Sequence, residues 1–248
     1  MKEIILTIVV GLLLTIAGLF IEKCYFEENS CPIDSMNAIA SETPRGVKKE
    51  LTSDFKISYL YRSAGQGKAQ PFGKTILKRS VLKTGDTYKV IFQPPAKKYV
   101  YIFQIDSANK IFRLFPTTDF ANADKKNINP VKQGKKYFVP AKKWSFELDT
   151  TTGKETIYTI ISDKPDKNLE QQYETMLAKQ DNLTQKQRKV IRKKWHKSMK
   201  KRGIKNKLAK DDPTLIKWQE QGKKLSITLF RLQKMCDGCV NIVSFKHE

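Results

Sequence analysis

YVYIFQIDSANKIFRLFP, residues Tyr99–Pro116, is the stretch that decides the fold class. Tyr99 to Ile105 is almost continuous in aromatic and aliphatic side chains, the pattern of a strand covered on both faces. Asp106-Ser107-Ala108-Asn109 follows, and Asp, Ser and Asn side chains satisfy backbone groups locally in turns. Ile111 to Phe115 then returns as the hairpin partner, stopped by Pro116.

Outward from this hairpin the same grammar repeats. Upstream, Phe55, Ile57, Tyr59 and Tyr61 alternate with polar residues at a period of two. Gly85-Asp86 leads into Tyr88, Val90 and Phe92, and Pro94-Pro95 ends that run. Downstream, short strands are expected at Tyr137–Val139, Ser145–Leu148 and Thr156–Ile161. Regular short strands with polar turns predict a mainly β domain, an antiparallel sandwich or open barrel.

Residues 163–224 read differently, as a helical insertion. Leu169, Tyr173, Met176 and Leu177 recur at three and four residues. Thr184 has the position of an N-cap, with Gln187 at the capping-box spacing. Val190, Ile191, Trp195 and Met199 mark one face of the helix that follows, and Gly203 ends it. Asp212-Pro213 is expected to open a further short helix carrying Leu215, Ile216 and Trp218, closed by Gly222. Residues 225–248 are expected to complete the β domain as a hairpin: Leu225 to Leu232, a turn at Asp237-Gly238, then Val240 to Phe245.

At the other end, Ile4 to Ile21 reads IILTIVVGLLLTIAGLFI, 18 residues without a charge. That length suits a hydrocarbon core of roughly 30 Å. No Ala-x-Ala pattern follows, and Glu22 and Lys23 precede Cys24 where a lipoprotein signal has small residues. Residues 1–28 are therefore read as one uncleaved transmembrane signal anchor, with a cleaved signal peptide as the rival. Residues 29–54, with Pro32, Pro44 and Gly46, form a linker to the β domain at 55–162. Lys and Arg are nearly balanced on the two sides of the apolar segment. The cysteines tilt the orientation toward a bacterial inner-membrane protein with its soluble domain in the periplasm.

Lys and Arg number 47 against 25 Asp and Glu, a net charge of +22. From Lys164 to Lys224, 19 basic and 7 acidic residues give +12, so +10 remains for the rest of the chain. Such a balance suits anionic partners or a generally basic, solvated surface. Arg188, Lys189, Arg192, Lys193, Lys197, Lys200 and Lys201 crowd one helix and are the candidate anion-binding residues. Three arrangements are open for that helix. It lies on an anionic membrane with Trp195 at headgroup level, or it contacts nucleic-acid phosphates. In the third, its apolar face packs on the β domain and its lysines are solvated.

Cys236-Asp237-Gly238-Cys239 flanks a turn, so a local disulfide between Cys236 and Cys239 is the first reading, with unpaired thiols as the alternative. Residue 240 is Val, which excludes haem attachment, and Cys24 and Cys31 are wrongly spaced to complete a zinc site. Gly65-Gln66-Gly67-Lys68 lacks the spacer and the hydroxyl residue of a phosphate loop. The carboxylates Asp106, Asp149 and Glu155 sit at strand ends, where turn capping accounts for them. His196 and His247 are the two histidines, and no nucleophile or dinucleotide pattern accompanies them. No catalytic residue, metal site or cofactor is expected. The chain reads as a non-enzymatic, single-pass membrane protein that binds a protein partner or an anionic envelope polymer as part of an envelope assembly. The alternative is a cytoplasm-facing anchor whose basic helix binds nucleic acid or acidic lipid.

Several segments together carry a resemblance. Leu82-Lys83-Thr84-Gly85-Asp86, YVYIFQIDS (Tyr99–Ser107), LFP (Leu114–Pro116), NPVKQGKKYFVP (Asn129–Pro140), FELDTTTGKETIY (Phe146–Tyr158) and the terminal SFKH (Ser244–His247) resemble, in order and spacing, the bacterial family called domain of unknown function 4384. The resemblance implies a β-rich module of bacterial envelope and multidomain regulatory proteins. It implies no catalytic residues. The basic segment from Asp163 to Lys224 departs from that compact pattern.

Overall fold

The computed structural model describes residues 55–64, 74–76, 80–116, 121–204, 208–220, 223–232 and 235–248. The apolar segment Ile4–Ile21, the linker, Cys24, Cys31 and Gly65–Lys68 lie outside the described residues. Among the described residues, no helix is long and apolar enough to cross a membrane.

The chain is mainly β, and its strands form two sheets. One contains β1 (Phe55–Arg62), β2 (Lys74–Thr75), β4 (Thr87–Gln93), β7 (Tyr137–Val139), β8 (Phe146–Glu147), β10 (Leu208–Glu220) and β11 (Lys223–Leu232). Its main order is β10-β11-β1-β4-β7, with β2 beside β1 and β8 beside β4. The other sheet has the order β3-β12-β9-β5-β6, from β3 (Val81–Leu82), β5 (Tyr99–Ile105), β6 (Ile111–Phe115), β9 (Gly153–Ser162) and β12 (Cys239–His247). All pairings are antiparallel except that of β3 with β12.

The two sheets share one core, built from alternate residues of each. Tyr88, Val90 and Phe92 of β4 meet Ile102, Phe115, Ile157, Ile161 and Phe245 from the opposite sheet. Phe92 stacks on Tyr137 at 5.0 Å and meets the edge of Phe115 at 5.1 Å, geometries that aromatic quadrupoles favour. Buried hydroxyls tie the sheets together, that of Tyr59 among them. The Tyr59 O–H donates to Asn241 Oδ1 at 2.8 Å and lies 2.8 Å from the Thr159 hydroxyl.

The Tyr99–Pro116 reading holds in detail. The backbone N–H of Lys110 donates to the Asp106 carboxylate at 2.7 Å, and Asn109 takes φ 63°, so the turn is closed by the side chains expected to close it. Both helices also form where the spacing placed them. α1 (Lys167–Gln180) buries Leu169, Tyr173 and Met176, and α2 (Gln185–Lys201) starts with a complete Thr184–Gln187 capping box.

Two expectations are corrected. Leu208–Glu220 is a strand, not a short helix. Ile216 and Trp218 are buried while Leu215, Lys217 and Gln219 are exposed, a period of two. The pairing register with β11 shifts between Ala209 and Thr214. That stretch contains Pro213, which has no N–H to give a ladder. The helical part of the insertion is thus α1 and α2 alone. Residues 225–248 are also not a hairpin: β11 pairs with β10 and β1, whereas β12 pairs with β9 and β3. The Asp237-Gly238 turn redirects the chain from one sheet to the other, and the Gly238 N–H donates to the Ile161 carbonyl at 2.8 Å. The Cys236–Cys239 disulfide closes this turn, with the two Cα atoms 5.1 Å apart.

β11 pairs with β1 at Leu232, Arg231 and Phe230. Beyond that point the β10–β11 hairpin supplies Ile216, Trp218, Leu225 and Leu229 to a second apolar cluster with Leu60 and Ile91. β1 is therefore buried on both faces, not half-buried as its alternation suggested.

Tyr59→Phe removes one of the hydroxyls that join the sheets and the hydrogen bonds it makes to Thr159 and Asn241. The expected loss is about 1–3 kcal/mol in equilibrium unfolding by denaturant. A change below about 0.5 kcal/mol, the level of an ordinary surface substitution, would contradict the role given to this contact.

Candidate functional site

β9 alternates strictly. Ile157, Thr159 and Ile161 face the shared core, while Lys154, Thr156, Tyr158 and Ile160 face the opposite way. That second face is covered by the helices. Tyr101, Phe103, Tyr158 and Ile160 form one cluster with Leu169, Tyr173 and Met176 of α1 and with Trp195 and Met199 of α2. Trp195 is 3% exposed and packs edge-on against Phe103 at 5.2 Å. A helix lying apolar face down on a membrane with Trp195 at headgroup level is therefore excluded, because that face is already filled by the sheet. Val190 alone of the four apolar positions is exposed.

With its apolar stripe committed to the sheet, α2 turns Lys189, Arg192, Lys193 and His196 along the border with β9. Their i, i+3, i+4, i+7 spacing puts them on one face. They line a cavity of about 230 Å³ with Lys154, Thr156 and Tyr158. A neighbouring cavity of about 460 Å³ shares Lys189 and Arg192 and adds Asn109, Gln185 and Lys186. No carboxylate lines either one.

The predicted basic residues separate into groups. Lys189, Arg192 and Lys193 line the cavities. Arg188 is a structural residue: its guanidinium donates to the carbonyls of Ala108, Gln180 and Leu183 at 3.1, 3.4 and 2.5 Å. Lys197, Lys200 and Lys201 are exposed beyond the cavities. Arg192 donates to Asn109 Oδ1 at 3.0 Å, which fixes its guanidinium at the junction of the two cavities. Lys154, Lys186, Tyr158 and His196 were not foreseen as site residues. The helical spacing of His196 from Lys189 was the available signal, but nothing in the sequence says that β9 lies beneath it.

Tyr158 and His196 both line the cavity, with the phenol oxygen 3.1 Å from Nδ1. Burial raises the Tyr158 pKa to about 12, an effect partly offset by Arg192, so the phenol keeps its proton. Burial first, then Lys200, Lys154 and Arg192, holds the His196 pKa below its ordinary value. The imidazole is thus neutral at pH 7.

A second cleft, of about 340 Å³, has the opposite character. Tyr88, Gln104, Phe112 and Phe146 line it with Asp106, Glu147, Asp149 and Glu155. The capping reading of its carboxylates holds. Asp106 accepts from the Lys110 N–H, Asp149 from the Thr151 N–H at 2.8 Å, and Glu155 from the Ser107 N–H at 2.9 Å. Glu155 also accepts from Gln104 Nε2 at 2.8 Å, and Gln104 in turn accepts from the Tyr88 hydroxyl. What the sequence did not show is that these turn-capping groups converge.

Among the described residues, no three His, Cys, Asp or Glu side chains are grouped to hold a metal ion.

The fold thus defines a β-rich domain of two sheets with a basic helical insertion on one of them. Residues 81–165 match the family described as "Domain of unknown function (DUF4384)", a stretch of about a third of the chain. The match runs from β3 to the end of β9. It stops before α1, so both helices and the last three strands lie outside it. No curated protein and no solved structure gives a significant match.

The acidic cleft generates a pH prediction. Burial, reinforced by Glu155 and Asp149 and opposed by the Lys110 N–H, raises the Asp106 pKa from 3.8 to about 6. Between these values the folded chain holds a proton that the unfolded chain has released. The stability from neutral Asp106 is therefore complete below the unfolded value and lost as pH rises through the folded one. Asp106→Asn should flatten the fall in unfolding midpoint over this window while keeping an acceptor for Lys110. Equal slopes for the two proteins would contradict the shift.

Proposed function

We propose that the protein is a non-enzymatic, membrane-tethered β domain that holds an anionic partner, an envelope polymer or an acidic protein, on the basic face between α2 and β9. On this reading the two sheets form an open sandwich carried by the N-terminal apolar segment, with the domain outside the cytoplasm. The observation that carries the proposal is the groove itself. Lys154, Lys189, Arg192 and Lys193 converge from a strand and a helix with no lining carboxylate to neutralise them. Like charges held together cost energy in the free protein, and an anion relieves that cost. The Cys236–Cys239 disulfide is consistent with an oxidising compartment.

Two measurements on the full chain in cells test this. A reporter fused after Glu248 should be active only outside the cytoplasm; activity inside would favour a cytoplasm-facing anchor. A photo-crosslinking residue at Lys193 should capture a partner in a salt-sensitive manner, and the same group at Leu215, exposed on β10, should not. Equal capture from both positions would overturn the assignment of this face.

A further inference from the structure

We propose that the cavity between α2 and β9 seats phosphoryl groups, and that its ligand is a linear phosphate-bearing polymer rather than an isolated anion. The inference rests on the basic face being the binding surface and adds the chemistry of what it binds. Four formal positive charges line the smaller cavity: Lys154 on the strand wall and Lys189, Arg192 and Lys193 on the helix wall. A single carboxylate carries one charge and two oxygens in one plane. A tetrahedral phosphoryl group presents oxygens toward both walls and matches cations that come from two directions.

Size points the same way. At about 230 Å³ the inner cavity is below the roughly 300–1,000 Å³ of sites that enclose drug-sized ligands, so it suits one group of a larger molecule. The neighbouring cavity supplies the continuation, because Lys189 and Arg192 belong to both and Lys186 adds a further cation there. Two adjoining basic seats that share their central cations fit successive phosphates of a chain. The strand wall of the smaller cavity includes Tyr158, which is almost fully buried, so part of the contact lies below what a flat bilayer surface meets first.

His196 supplies an internal reporter. The charged and titratable groups around it are Lys154 and Tyr158 from β9 and Lys189, Arg192, Lys193 and Lys200 from α2. Burial is the larger cause of the lowered His196 pKa, and an anion among these cations offsets the repulsion that adds to it. Occupancy should therefore raise the pKa of His196.

The test uses the full chain in detergent micelles with three probes: inorganic polyphosphate, glycerol phosphate and poly-L-glutamate. Binding is followed by calorimetry and by NMR titration of His196. Polyphosphate should bind, raise the His196 pKa, and lose affinity by at least about tenfold in Lys189→Glu/Lys193→Glu, with a shallower salt dependence. Lys197→Glu/Lys201→Glu, the same charge change outside the cavities, should cost less than about threefold. Poly-L-glutamate binding as tightly as polyphosphate would overturn the phosphoryl assignment while leaving the basic face as a binding surface. Glycerol phosphate matching polyphosphate in affinity would overturn the polymer. Failure of all three probes to bind would overturn both this inference and the reading beneath it.

Discussion

Between Thr156 and Ile161, strand β9 has no face toward solvent, and the rest of the molecule follows from that constraint. Its inward side chains are met by the opposite sheet. Its outward side chains, with Tyr101 and Phe103 of β5, would otherwise present a broad apolar patch to water. An aromatic side chain buries about 150–250 Å². Patches of several hundred Å² on a monomer are covered or used for binding. Here α1 and α2 cover the patch, and Trp195, wedged against Phe103 and Tyr158, is the residue that fixes α2 over β9. Once that stripe is committed, the lysines and arginines of α2 must face water. Those nearest the strand meet Lys154 across a groove. The charge concentration is thus a consequence of packing.

The first helix has a further duty. β6 is an edge strand, and an unpaired edge invites pairing with another chain. Tyr173 and Gln180, two turns apart on α1, accept hydrogen bonds from the backbone N–H groups of Arg113 and Ile111 at 3.3 and 2.8 Å. Glu174 pairs with the Arg113 guanidinium at 3.1 Å. The helix therefore closes the edge with side chains where a neighbouring strand would have used its backbone. Asp166 links the start of α1 to the end of α2 by capping Leu169 and pairing with Arg202 at 2.5 Å. The two helices are thus joined end to end by Asp166, although the family match ends just before it.

Local patterns carried much of this. The strands from β4 to β9, the Asp106–Asn109 turn, the Thr184 capping box and the pairing of Cys236 with Cys239 depend on neighbours a few residues apart, so the sequence displays them. Leu208–Glu220 did not yield to the same reading. Leu215, Ile216 and Trp218 fit a helical stripe as well as a strand, and only the partner Lys223–Leu232, which offers Ile216↔Ile227 and Trp218↔Leu225, settles the choice. The crossing of the chain between sheets at Asp237-Gly238 was equally hidden, because the same dipeptide serves a hairpin or a redirecting turn. The groove was legible by half. Lys189, Arg192 and Lys193 were visible as a cationic cluster, but their distinction from Arg188 and Lys197 depends on contacts with residues about 80 positions away at Ala108 and Asn109 and on the strand beneath.

Native-state hydrogen exchange of the full chain addresses the docking of α2 on β9 most directly. If the helix is held by Trp195 and Met199 on the sheet, the amides of residues 190–200 should exchange through the same cooperative opening as those of Thr156–Ile161. Rapid, independent exchange along α2 while β9 stays protected would mean that the helix is not seated on the strand, and the groove would lose one of its walls.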